Sequence, residues 1–205
     1  MGMVGRYSSV TIGADGLGLI SYYDELTGDL KVAHCSNVAC TEATKTTLDS
    51  EGIVDYDTSI TIGTDGLGLI SYPDWTNGDL KVAHCLNAAC TEATTATIDS
   101  EGIVRRRTSI TIGTDGLGLI SYVDSTNGDL KVAHCSNVAC TEATTTTLDS
   151  EGWVWMDTSI TIGDNGLGLI SYTAFNNGDL TDLDLKVAHC SDVACTAATK
   201  TTLDH

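Results

Sequence analysis

Polar and apolar residues alternate from Ser59 to Gly63, and the alternation stops at the turn pair Asp65-Gly66. This reads as a half-buried strand. Leu67 to Tyr72 follows as a mostly apolar run and predicts a second strand. Asn77-Gly78 then predicts a tight primed hairpin, whose two central positions both need positive φ. Asp79 to Cys85 reads as a third strand. A four-residue turn of Leu86, Asn87, Ala88 and Ala89 returns the chain as the Thr-rich strand Thr91 to Asp99, and Ser100-Glu101-Gly102 breaks it. Four short strands with tight turns form an antiparallel meander too small to bury its own faces.

The pattern is not local to this stretch. Nearly the same string starts at Ser8, Thr58, Thr108 and Thr158, a period of 50 residues, and the last copy is lengthened to 55 by the insert Thr181-Asp182-Leu183-Asp184-Leu185. The repeats run 2–50, 51–100, 101–150 and 151–205 and are expected to form one domain over 1–205. A fixed period in this range points to stacked units. Strands one and two carry the Ile and Leu while strand four is polar, which implies a packed interior and a wet rim, as in a propeller blade. The glycines at 13, 63, 113 and 163, and at 18, 68, 118 and 168, would allow close backbone approach where blades converge. The expected fold is all-β, a four-bladed β-propeller of four-stranded antiparallel meander blades. The alternative is an open stack, or part of a larger ring formed by oligomerisation.

The segments ISYPDWTNGDLKVAHC and ISYVDSTNGDLKVAHC resemble the blade of a group of bacterial β-propeller repeat proteins that share an IS-Y-x-D-x-T-N-G-D-L-K-V-A motif. The resemblance covers essentially the whole chain. It implies a fold and carries no catalytic residues with it.

Charge narrows the partners. Lys plus Arg total 10 against 28 Asp plus Glu, and the net charge of -18 repels phosphate backbones and anionic lipid. Neither nucleic acid nor membrane insertion is expected, because no apolar run approaches the roughly 20 residues that span a bilayer. The N-terminus lacks a signal-peptide pattern.

Eight cysteines fall as Cys35 and Cys40, Cys85 and Cys90, Cys135 and Cys140, Cys190 and Cys195. Even number and fixed spacing predict one disulfide per repeat, across strands three and four, and hence an extracellular or periplasmic location. A zinc site from His34, Cys35 and Cys40 competes with this reading, but neighbouring strand residues point to opposite faces. No metal or other cofactor is expected. His34, His84, His134 and His189 read as packing residues that hydrogen-bond a neighbouring blade. Asp124 to Asp129 lacks the alternating ligands of a calcium loop, and TIGTDGLG precedes a strand rather than the helix a phosphate loop needs.

The copies differ in two stretches: the turn between strands two and three, and the joint between copies. In a meander these share one face, while the two uniform turns share the other. The varied face carries the expected ligand-binding residues Tyr56, Trp75, Arg105, Arg106, Arg107, Trp155 and Phe175. Trp153, at the position of Ile53 and Ile103, also fits a packing role. Free drift of unconstrained loops is the competing explanation. The expected function is a non-enzymatic secreted module that recognises a carbohydrate or protein. The alternative is a structural repeat protein that self-assembles head-to-tail into rings or filaments. No enzyme is expected, because four equivalent copies do not make one active site.

Overall fold

Thr, Ile and Val at alternate positions favour pleated backbone, and each copy folds into its own sheet of four antiparallel strands. The computed structural model describes residues 4–54, 57–105, 107–176 and 179–204. The first sheet holds β1 (Val4–Ile12), β2 (Gly18–Asp24), β3 (Asp29–Cys35) and β4 (Ala43–Asp49). The second holds β5 (Ser59–Ile62), β6 (Gly68–Asp74), β7 (Asp79–Cys85) and β8 (Ala93–Asp99). The third holds β9 (Ser109–Ile112), β10 (Gly118–Asp124), β11 (Asp129–Cys135) and β12 (Ala143–Asp149). The fourth holds β13 (Trp153–Ile162), β14 (Gly168–Asn176), β15 (Asp179–Cys190) and β16 (Ala198–Asp204). Strands pair in chain order within each sheet, and no helix occurs among the described residues. The chain is a four-bladed β-propeller, with β1, β5, β9 and β13 innermost and packed in succession.

The turn between strands two and three is not the primed hairpin expected. β6 runs on through Pro73, Asp74 pairs with Asp79, and four residues remain in the loop. Gly78 takes a φ of 80° and donates its N–H to the Asp74 carbonyl at 2.7 Å, while Asn77 stays out of the left-handed region. The Asp74 carboxylate accounts for this, since Oδ1 accepts the Thr76 N–H at 2.9 Å and offers the backbone a local partner.

All four disulfides form, Cys35–Cys40, Cys85–Cys90, Cys135–Cys140 and Cys190–Cys195, and no cysteine is free. The thiols are therefore not available to a metal. The bridge does not join facing strand residues, however. Cys85 pairs with Ala93, and Cys90 sits in the loop at a φ of 50°, so the bridge ties that loop to the strand end. The Leu86 N–H donates to the Glu92 carbonyl at 2.8 Å and closes the same loop. Gly68 lies under the bridge: a Cβ there would meet Cys85 Sγ at 2.8 Å and Leu19 Cδ2, from the preceding blade, at 2.9 Å. A Cβ at Gly63 would crowd Asp65 of its own turn, so only the second glycine series serves blade contact.

The core lies between blades rather than within them. One buried cluster joins Leu19, Leu30 and Val32 of the first blade to Ile60, Ile70 and Tyr72 of the second, and two further clusters repeat this at the next two joints. Each joint also carries buried polar contacts. The Ser21 and Thr58 hydroxyls share a hydrogen bond of 2.7 Å, and the Ile60 N–H donates to Ser9 Oγ at 3.2 Å. Tyr72 donates its hydroxyl to Asp49 Oδ2 at 2.6 Å, and Lys81 Nζ donates to the same oxygen. Tyr122 and Lys131 treat Asp99 alike, and Tyr172 and Lys200 hold Asp149 at 2.7 and 2.9 Å. Burial pushes each of the three carboxyls up, but the Lys and Tyr hydrogen bonds outweigh it and hold them below the ordinary value. The tyrosine hydroxyls are driven far above theirs, first by burial and then by the carboxylate they face.

The fourth and first blades make no such joint among the described residues. Lys31 of the first blade has no preceding blade to reach and turns to Asp24 of its own blade at 2.5 Å. In the fourth blade β14 and β15 lengthen into a longer hairpin. Leu185 pairs with Thr173 and Asp184 with Ala174, the places of Leu130 and Asp129 in the third blade. The extra residues therefore lie closer to the hairpin tip than the Thr181 to Leu185 expected.

Replacing Asp99 by Asn strips the buried Lys131 of its countercharge and is expected to destabilise the chain by about 3 kcal/mol at pH 7, measured by denaturant unfolding. A carboxyl held below its ordinary value stabilises above that value and loses its contribution as pH falls through the folded one. The penalty of the variant should therefore shrink below about pH 3.8. Removing one bridge as Cys85→Ser with Cys90→Ser should cost about 2 kcal/mol on the chain-entropy model, read the same way.

Candidate functional site

The two faces are distinct. Val54, Val104 and Val154 donate their N–H groups to the carbonyls of Gly28, Gly78 and Gly128 at 2.7 to 2.8 Å, which lays every joint against the preceding blade's varied turn. At the other end Thr64 Oγ1 donates to the Gly116 carbonyl at 3.2 Å, beside the disulfide loops. The histidines belong to that uniform end. His84 Nε2 meets Asp65 Oδ2 at 2.8 Å within its own blade, so it does not bridge blades as expected. In the fourth blade Asn165 replaces the aspartate and bonds His189 at 2.8 Å.

On the varied face, sequence-equivalent residues meet. Asp57, Arg107 and Asp157 occupy one position in successive repeats, at the entry to the innermost strands β5 and β9 and within β13. Around a common axis such positions converge. Arg107 Nε lies 3.2 Å from Asp57 Oδ2 and 2.8 Å from Asp157 Oδ1, so the two carboxylate oxygens are at most about 6 Å apart. The Asp57 side chain is 18% exposed and that of Asp157 is 56% exposed, so one carboxylate is largely screened and the other open. The first copy has Tyr7 at this position, and its carbonyl accepts the Thr58 hydroxyl at 3.3 Å. A cleft runs outward from the axis past Arg107, Asp157, Thr158, Ser171, Thr173 and Leu185.

The other expected ligand residues divide. The Arg105 guanidinium lies 4.5 Å over the exposed Trp75 ring. Trp155 meets Phe175 edge to face at 5.2 Å, and Phe175 is buried, so it supports Trp155 rather than facing solvent. Tyr56 and Arg106 lie outside the described residues. Trp153 packs on the preceding turn, where a Cβ at Gly128 would meet its ring at 2.7 Å, just as Ile53 and Ile103 pack on Gly28 and Gly78. From the sequence the triple Arg can either engage an anionic group or pair with nearby Asp57 or Asp157, and Arg107 makes both of those pairs; what was not expected is that the two carboxylates would form part of a site. The signal was present, because three equivalent positions in the varied joint read Asp, Arg, Asp.

No family model matches the chain, and no curated protein sequence does. Solved structures do. An exo-β-1,3-galactanase from Phanerochaete chrysosporium, with β-1,3-galactotriose, superposes with a TM-score of 0.64 at 8% identity, over 98% of this chain and 50% of that one. An α-L-arabinofuranosidase from Lactobacillus brevis gives 0.61 at 11%, over 98% and 74%. A GH62 hydrolase in complex with xylotriose gives 0.62 at 11%, over 99% and 69%. The chain shares their β-propeller fold. Its 205 residues span half the length of the first and about three quarters of the second.

These neighbours overturn the expectation of a non-enzymatic binding or self-assembling module. Equivalent copies can build one asymmetric site. A ring places equivalent positions side by side, so single differences between copies combine into one asymmetric cluster at the axis.

Replacing Arg105 by Ala should remove the guanidinium from the Trp75 ring at a cost of about 0.5 to 1 kcal/mol. Thermal unfolding and the tryptophan emission maximum both report it.

Proposed function

We propose that the chain is a secreted carbohydrate-active enzyme that cleaves glycosidic bonds at the axial cluster of the varied face. The observation that carries this reading is the carboxylate pair Asp57 and Asp157 gathered on Arg107, with Arg107 and Asp157 lining an open cleft. Glycoside cleavage needs two carboxyl groups flanking the scissile bond, one to protonate the leaving oxygen and one to attack or to activate water, at separations of roughly 5 to 9.5 Å. The Asp57 and Asp157 oxygens held on Arg107 are at most about 6 Å apart, an upper bound that reaches into the shorter, retaining part of that range. Arg107 spends its Nε on the carboxylates and keeps its terminal nitrogens as donors for sugar hydroxyls. Trp75 and Trp155 offer exposed ring surface on the same face, and sugar rings stack their C–H faces on such surfaces. The galactanase and arabinofuranosidase neighbours support a saccharide substrate. Four disulfides support an extracellular or periplasmic location, and no helix among the described residues is long and apolar enough to cross a membrane.

The test is a reducing-sugar assay on β-1,3-galactan and arabinoxylan, with a chromogenic α-L-arabinofuranoside alongside. Hydrolysis is expected, and Asp57→Asn and Asp157→Asn should each lower kcat by about 10² to 10⁴ with the melting temperature held. Trp75→Ala should raise KM and spare kcat. Absence of turnover on the whole panel, or full activity in both aspartate variants, refutes the proposal.

A further inference from the structure

The side of the fourth blade that faces away from the third is built like the three buried joints, yet it is open. Leu169 is 38% exposed there, whereas Leu19, Leu69 and Leu119 at the same position are 0 to 1% exposed under the next blade. Leu203 is 61% exposed against 8% for Leu148. The polar contacts follow suit. Ser21, Ser71 and Ser121 each bond a threonine of the next blade at 2.7 to 2.9 Å, while Ser171 is exposed and lines the outer end of the cleft.

The first blade presents the other half of the same joint. Val10 is 65% and Ile12 63% exposed, where Ile60, Ile110 and Ile160 at the position of Val10 are each 6% exposed. Tyr72, Tyr122 and Tyr172 find a carboxylate on the preceding blade, but Tyr22 has no such bond. Lys31 has turned back to Asp24.

We infer that the seam between the fourth and first blades is a docking site for one further four-stranded blade of this repeat's own chemistry. The occupant follows from the three joints already filled. A blade of this type carries a Thr for Ser171 and two Ile for the Leu169 surface. Its last strand ends in an Asp, the partner that Tyr72, Tyr122 and Tyr172 have on the preceding blade and Tyr22 does not. One repeat therefore matches both open surfaces at once. The occupant would cover Ser171 and with it the outer end of the cleft that Arg107 and Asp157 also line, and the test reads amide exchange rather than hydrolysis, so failure here is distinguishable from failure of the proposed activity.

The experiment mixes the full chain with an oxidised 50-residue peptide of the sequence 101–150, which contains Thr108, Ile110, Ile112 and Asp149. Binding of one peptide per chain is expected, with amide exchange slowed at least about tenfold in both β1 and β14. Val10→Glu combined with Leu169→Glu should abolish the effect, and Leu26→Glu, on the exposed varied turn, should not. The same sequence appended after His205 keeps the inference testable if the free peptide does not fold, and it too must slow exchange in both strands. Failure of both formats overturns the inference, as does protection of one strand only. Protection of both strands by raising the concentration of the chain alone also overturns it, in favour of a second copy.

Discussion

No blade of this protein can bury its own hydrophobic surface, and every other feature of the fold follows from that. Seven-residue strands in a single sheet leave two apolar faces, and the three clusters that cover them each draw on two adjacent blades. Placing the core between repeats makes the joint the unit of stability. It also explains the polar residues held there. A tyrosine, a lysine and an aspartate buried at one interface remain tolerable only because each satisfies another, as Tyr72 and Lys81 do at Asp49. The same trio fixes the register of one blade on the next, since a shifted blade would strand a buried charge.

The axis turns this repetition into asymmetry. Each joint sets the start of one innermost strand beside the next, so a single sequence position is sampled by every blade at one place in space. There the repeats differ, and Asp57, Arg107 and Asp157 form an ion-paired cluster that no single copy contains. The disulfide loops and the His–Asp pairs at the other end hardly vary, and they hold a uniform base. A rigid base beneath a varied rim is the arrangement on which binding and catalytic loops are commonly carried.

Most of the architecture was legible in the residues. The third strand, Asp79 to Cys85, has the bounds read from sequence, the cysteine pairing is the one its spacing indicated, and the two faces divide as the meander requires. What escaped was local side-chain chemistry. Asn77-Gly78 signalled a two-residue turn, but the Asp74 carboxylate captures the Thr76 N–H and opens the loop to four residues. The cysteines were expected to face one another across a ladder, whereas Cys90 takes a left-handed conformation that pattern alone does not reveal. The histidines reach within their blade because Asp65 lies at the same end of the sheet. The candidate site was half legible. Arg107 and Trp155 stood out as variable residues on one face and Asp57 and Asp157 as possible partners of the arginines, while their gathering into one cluster became visible only when equivalent positions were brought round the axis.

Hydrogen exchange in the Asp99→Asn chain tests the reliance of each blade on its neighbour most directly. Asp99 ends β8 of the second blade, and its partners Tyr122 and Lys131 belong to the third. If the joint is the unit of stability, amides in β6 and β10 accelerate together and by a similar factor. Acceleration confined to the second blade, with β10 unchanged, would contradict it and show that each sheet is stable alone.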